Sequence, residues 1–153
     1  MVTNRLDWPS GEVEVTGGRL AYHRTGGEGP PIVLSHGLTD NGLCWARLAE
    51  ALSPEYDLIL LDARGHGASS RPGEAGITPD MPGRDLAEAI TGLGLSGVVA
   101  MGHSMGARAT AACAAAYPEL IRAVILEDPP LVPPMDAETA AKRLKRFKDQ
   151  VKQ

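Results

Sequence analysis

The chain has 153 residues, enough for one domain with a real core and too few for two comfortable ones. Its 43% hydrophobic and 22% charged residues are those of a soluble globular protein, and with aromatics at 4% the core must be built from Ala, Val, Ile and Leu. A formal net charge of −4 argues against nucleic acid and anionic membranes as partners.

That charge is unevenly placed. From Asp136 onward six Lys or Arg stand against three acids, so the preceding residues carry a net −7. The N-terminus lacks an apolar signal region and no apolar run approaches membrane-spanning length, so a cytoplasmic location is expected. Cys44 and Cys113 both fall in helical patterns. They read as reduced, largely buried thiols, with a disulfide or a nucleophilic Cys as the alternatives.

In chain order, Glu12-Val13-Glu14-Val15 and Leu20-Ala21-Tyr22-His23 alternate as two half-exposed strands joined at Gly17-Gly18, a hairpin signal. Residues 26–31 are loop. Ile32-Val33-Leu34 is a short, wholly apolar run, the pattern of a strand buried on both faces. A helix is expected over 43–52, capped by Asp40 or Asn41. Leu58-Ile59-Leu60-Leu61 is a second buried strand, followed by a Gly-rich polar stretch to about Ile77.

Thr78-Pro79-Asp80 predicts the start of a helix that runs to about Leu93 and stops at Gly94. Val98-Val99-Ala100-Met101 is a third buried strand, 105–117 an Ala-rich helix stopped by Pro118, and Ala123-Val124-Ile125-Leu126 a fourth buried strand. After a loop with four prolines, a last helix is expected from about Ala137 with Asp136 as its cap. Strands alternating with helices predict an α/β fold: a mostly parallel sheet of about six strands with helices on both faces, the first two strands adding as an antiparallel edge.

Gly102-x-Ser104-x-Gly106 falls directly between a buried strand and a helix. A serine on so tight a turn projects its hydroxyl above the sheet, and the glycines let strand and helix approach without Cβ clashes. The helix beginning at Met105 offers free N–H groups and the positive end of its dipole to developing negative charge. Acyl transfer needs two donors for the oxyanion. The Met105 N–H follows the nucleophile, and Gly37, in the loop Ser35-His36-Gly37-Leu38, allows a turn that aims the Leu38 N–H at the same point. His36 reads as a structural residue of that loop.

His36-Gly37 after one buried strand, Asp62-Ala63-Arg64-Gly65-His66-Gly67-Ala68-Ser69 after the next and Gly102-His103-Ser104-Met105-Gly106 after the third resemble the α/β-hydrolase superfamily, within it the esterase, lipase and carbon–carbon hydrolase group. The likeness extends from about Gly11 to Pro130. It implies that Ser104 is the nucleophile, that Leu38 and Met105 supply the oxyanion hole, and that residues 64–67 form a structural turn at the mouth of the site. Serine at the elbow, where members acting on epoxides or halides carry Asp, favours a small-molecule carboxylic ester or related acyl substrate and an acyl-enzyme. No cofactor and no metal is expected.

The family's order is nucleophile, acid, histidine, yet no histidine follows Ser104. His23, His36, His66 and His103 all precede it, and none is expected to act as base. The triad acid is expected beyond the chain, with Glu127 or Asp128 as the candidates inside it. Residues 1–130 then read as the N-terminal part of the hydrolase core and 131–153 as the start of a lid. In that lid Ala140, Leu144, Phe147 and Val151 make one apolar stripe on a basic helix. An exposed apolar edge at 123–126 is expected to take a complementing C-terminal fragment or to self-associate. A catalytically dead remnant, or a hydrolase-fold binding module, is the alternative reading.

Overall fold

The computed structural model describes residues 8–74 and 76–130, together with 136, 138–142, 145 and 149. Six strands form one sheet in the order β1-β2-β4-β3-β5-β6. They are β1 (Ser10–Val15), β2 (Gly18–Arg24), β3 (Pro31–Ser35), β4 (Asp57–Leu61), β5 (Val98–His103) and β6 (Ile121–Glu127). β1 and β2 pair antiparallel at one edge, β2 meets β4 antiparallel, and β4, β3, β5 and β6 run parallel.

Alternate residues of the apolar runs feed two cores, one on each face of the sheet. Ile32, Leu34, Leu58 and Leu60 pack with α1 (Ala46–Leu52) through Ala46 and Ala49. Val33, Ile59 and Ala100 pack on the opposite face with Leu86 and Ile90 of α2 (Met81–Gly92) and Cys113 of α3 (Met105–Ala116).

Two elements depart from the sequence expectation. The helix expected over 43–52 is a 3-10 turn, Gly42–Trp45, followed by α1. Asn41 is its cap, the extended backbone there letting its side-chain oxygen accept from the Leu43 N–H at 3.0 Å. The second helix begins at Met81, not at Pro79: Thr78 O accepts from Met81 N–H in a preceding turn, and Pro82 takes the first-turn position. It does stop at Gly94, which is left-handed at φ 69°.

β6 is as apolar as the inner strands but is the exposed edge expected at 123–126: Val124, Ile125 and Leu126 are 41%, 49% and 36% exposed. β6 pairs only with β5, so it is an edge strand among the described residues. Cys44 is exposed rather than buried, because it lies on the outer side of the 3-10 turn, whereas Cys113 is buried; both thiols are free. Desolvation, complete at Cys113 and partial at Cys44, raises both thiol pKa values to about 11, Cys44 with added repulsion from Asp40 and Glu127, which leaves little nucleophilic thiolate at neutral pH.

Asp136 accepts from the Thr139 N–H at 2.8 Å and hydroxyl at 3.0 Å, capping the helical residues 138–142. Leu144, Phe147 and Val151 of the expected stripe lie outside the described residues. Among the described residues no helix is long and apolar enough to cross a membrane.

Candidate active site

The strand order makes one crevice special. After β3 the chain crosses one face of the sheet through α1 to reach β4. After β5 it leaves in the opposite direction through α3 to β6. The carboxyl ends of β3 and β5 therefore diverge at a topological switch point, where open α/β sheets bind ligands. Ser35 and Gly102 are register partners there, so the 36–38 loop and the Gly102–Gly106 turn rise side by side.

Ser104 sits on the turn at φ 49° and ψ −110°, a left-handed conformation that a β-carbon disfavours. Its own N–H donates to Glu127 O at 2.9 Å, and its carbonyl accepts from Arg108 N–H at 3.1 Å, so the strained residue is held from β6 and from α3. The turn also needs its glycines. A methyl on Gly102 would lie 2.6 Å from Ala107 N, and one on Gly106 would run into the Ser35 carbonyl. The N–H groups of Leu38 and Met105 have no acceptor among the described residues.

The 36–42 loop is tied down from the segment after β4. His36 is fully buried; its Nδ1 donates to Gly37 O at 2.7 Å and its Nε2 accepts from Ala63 N–H at 3.0 Å. Asp62 accepts from Gly42 N–H at 2.7 Å and from Ala68 N–H at 2.8 Å. Gly67, at φ 49°, leaves room for that carboxylate, which any β-carbon would strike. The Ser69 hydroxyl donates to Asp62 O at 2.6 Å and accepts from Ala21 N–H at 2.8 Å, so Asp62 and Ser69 organise this region in a way that sequence reasoning did not assign. The signal was present in the Asp62-x-Arg64-Gly65-x-Gly67-x-Ser69 spacing, but nothing local says that Asp62 reaches back twenty residues to Gly42.

Both ring nitrogens of His36 are thus engaged by a neutral imidazole, and burial lowers its pKa. The sign of the linkage follows. Below about pH 6.5 the unfolded chain takes up a proton at residue 36 that the folded chain refuses, so this contribution is complete above that pH and is lost as the pH falls beneath it. Urea unfolding at pH 7.5 and 5.5 should show a loss of up to about 1.4 kcal/mol per pH unit, reduced in His36→Gln. Equal pH dependence in the two proteins would contradict it.

His103 packs against the same loop: a methyl on Gly37 would lie 2.8 Å from His103 Nδ1. No hydrogen bond joins any of the four histidines to Ser104 among the described residues. Glu127 and Asp128 are exposed at the end of β6, and Asp128 is left-handed at φ 44°. Apart from Ser104 it is the only non-glycine residue of that kind among those described. A largely apolar cavity of about 70 Å³, bounded by Leu61, Ile77, Leu86 and Ala109, opens against Met105 and Gly106. No group of three His, Cys, Asp or Glu able to hold a metal ion occurs among the described residues.

Residues 30–153 match the family model for the alpha/beta hydrolase fold. The chain is 37% identical over 112 residues to 2-(acetamidomethylene)succinate hydrolase of Mesorhizobium japonicum, covering 72% of this chain and 40% of that protein. It is 35% identical over 124 residues to N-formylmaleamate deformylase of Pseudomonas putida, covering 81% and 46%. The solved structure of a thermophilic esterase from Thermogutta terrifontis, with malate bound, superposes with a TM-score of 0.78 at 30% identity, covering 94% of this chain and 53% of that one. The chain therefore spans less than half the length of these two curated relatives.

Proposed function

From the premise that the chain belongs to the alpha/beta hydrolase fold family, we propose that it is the nucleophile-bearing part of a serine hydrolase acting on a carboxylic ester or related acyl substrate. The observation that carries this reading is Ser104 held left-handed at the switch point, beside two N–H groups that have no acceptor among the described residues. In this reading the Ser104 oxygen attacks the substrate carbonyl carbon while a base takes its proton. The carbonyl oxygen becomes an oxyanion between the Leu38 and Met105 N–H groups, the leaving group departs protonated, and water then cleaves the acyl-enzyme. The apolar cavity beside Met105 offers room for a small hydrocarbon part of the substrate. Deformylation of N-formylmaleamate, the activity of one relative, is also an acyl-group hydrolysis.

The base is a histidine from outside these 153 residues, brought by a complementing C-terminal segment or chain that also covers the exposed β6 edge. The acid comes from the same source, with Glu127 and Asp128 as the in-chain alternatives. Residues 131–153 open the lid. His36 and His66 are both hydrogen-bonded within the loops, which also favours a second reading, a binding module without chemistry.

Loss of the histidine from a comparable triad costs on the order of a millionfold in turnover, and what survives is about a thousandfold over water. The decisive test is therefore covalent labelling rather than turnover. Phosphonylation of Ser104 draws on the same base, so the test is run at high fluorophosphonate concentration, alkaline pH and long incubation, where hydroxide stands in for it. The wild-type chain should then be modified slowly at Ser104 and Ser104→Ala left unlabelled. Equal labelling of both would sink the nucleophile assignment.

A further inference from the structure

An oxyanion donor works only if its peptide is already aimed when charge develops. Leu38 lies between two peptide planes, Gly37–Leu38, which carries its N–H, and Leu38–Thr39, which carries its carbonyl. Each plane is gripped by a different histidine. The Gly37 carbonyl accepts from His36 Nδ1 at 2.7 Å and from Asp40 N–H at 3.2 Å. In a trans peptide this fixes the opposite direction of the Leu38 N–H. The Leu38 carbonyl faces His66 Nε2 at 2.8 Å. Both ring nitrogens face carbonyls, Nδ1 at 3.2 Å from Arg64 O, and the shorter contact assigns the single proton to Nε2, which donates it.

His66 is itself immobilised. Its ring meets that of His36 edge-on, with centroids 5.0 Å apart. The turn that carries it is closed by His66 N–H to Ala63 O at 2.9 Å and Ser69 N–H to His66 O at 3.0 Å. A rigid turn following β4 thus reaches 28 residues back to hold a residue of an exposed loop.

We propose that His66 is a positioning residue: its Nε2–H locks the Leu38–Thr39 peptide and, with His36 on the other side, keeps the Leu38 N–H aimed at the oxyanion formed on Ser104. This rests on the reading of Ser104 as nucleophile and Leu38 as donor. His66 neither touches the reacting atoms nor exchanges a proton with them.

The test uses the whole chain with His66→Phe, His66→Leu and His66→Gln. Phe keeps the ring without the donor, Leu removes both, and Gln keeps an N–H of similar reach. Two measurements are made: hydrogen exchange at the Asp40 amide, which donates to the Gly37 carbonyl, and the rate of Ser104 phosphonylation by a small alkyl fluorophosphonate at saturating and sub-saturating concentration.

The expected result in both donorless variants is exchange at least tenfold faster at the Asp40 amide. The limiting phosphonylation rate should fall about ten- to a hundredfold, less than the loss of a whole oxyanion donor. The half-saturating concentration and the urea midpoint should be little changed, and Gln should restore the rate to within about threefold. Wild-type exchange and wild-type phosphonylation in His66→Phe overturn the proposal. So does a slowdown that Gln fails to rescue or that follows loss of folded protein. If wild type itself takes no label, exchange at the Asp40 amide alone decides whether His66 is the tether.

Discussion

Asp85→Ala is expected to lower the unfolding free energy by about 3–5 kcal/mol, the range for removing one partner of a buried ion pair. Arg64 and Asp85 are 5% and 6% exposed, and they meet through two parallel bonds of 2.8 Å, from Nε to Oδ2 and from Nη2 to Oδ1. The same guanidinium donates to Gly17 O at 3.1 Å and Thr16 O at 2.9 Å, so it joins α2 to the β1–β2 turn and to the segment after β4. The carboxylate pushes the Arg64 pKa up further, and the cation does not discharge when its partner is removed. Asp85→Ala therefore leaves a buried, uncompensated charge.

With a urea slope of about 1–3 kcal/mol per molar, the midpoint should move on the order of 2 M. Asp85→Asn keeps one acceptor and should lose less. The double change Arg64→Met with Asp85→Leu should recover much of the deficit, because the cost lies in the orphaned charge and not in the pair as such. A loss below about 1 kcal/mol in Asp85→Ala would show that water reaches the pair.

Gly106→Ala is the second large effect. The added methyl would run into the Ser35 carbonyl oxygen and lie 2.7 Å from the His36 carbonyl, both backbone atoms that cannot rotate away. Overpacking of this kind costs about 1–3 kcal/mol when neighbours yield and more when they do not, and here the upper part of that range is expected. The relief available is to push α3 off the end of β3. That would carry Met105 and Ser104 away from the 36–38 loop, so Ser104 labelling by a fluorophosphonate should fall more than tenfold. Gly73→Ala is the control. A methyl there meets nothing within 4 Å, and stability should stay within about 0.5 kcal/mol. Similar behaviour of the two variants would show that the strand–helix contact at the elbow is not tight.

Much of this molecule could be read in one dimension. The runs 32–34, 58–61 and 98–101 are apolar throughout because they are buried on both faces, and burial of that kind leaves a mark on every residue. The Gly102-x-Ser104-x-Gly106 junction was equally legible, since a turn with no room for β-carbons admits few residue types. The run 123–126 shows the boundary. Its composition equals that of the inner strands, and hydropathy records what a strand is made of and not what lies beside it; the exposed edge there, 41% at Val124 and 49% at Ile125, was expected only from the family resemblance.

Cys44 misled for the same reason. A helical pattern tells which residues share a face but not which face turns outward. Helix starts were legible only to within a turn, since Thr78, Asp80, Pro79 and Pro82 all carry start signals and tertiary packing selects among them.

The sequence by itself determined the alternation of elements, the buried central strands and the serine at the strand–helix turn, because each is a local requirement of backbone geometry or of burial. Only the tertiary structure decided the order β4-β3-β5, which sets the His36–Leu38 loop beside Ser104. It also decided the partners of the polar residues around them: Arg64 with Asp85, Asp62 with Gly42, and His66 with Leu38. Those bonds join residues 20 to 28 positions apart, and no local propensity encodes a hydrogen bond between segments that meet only after the sheet has formed.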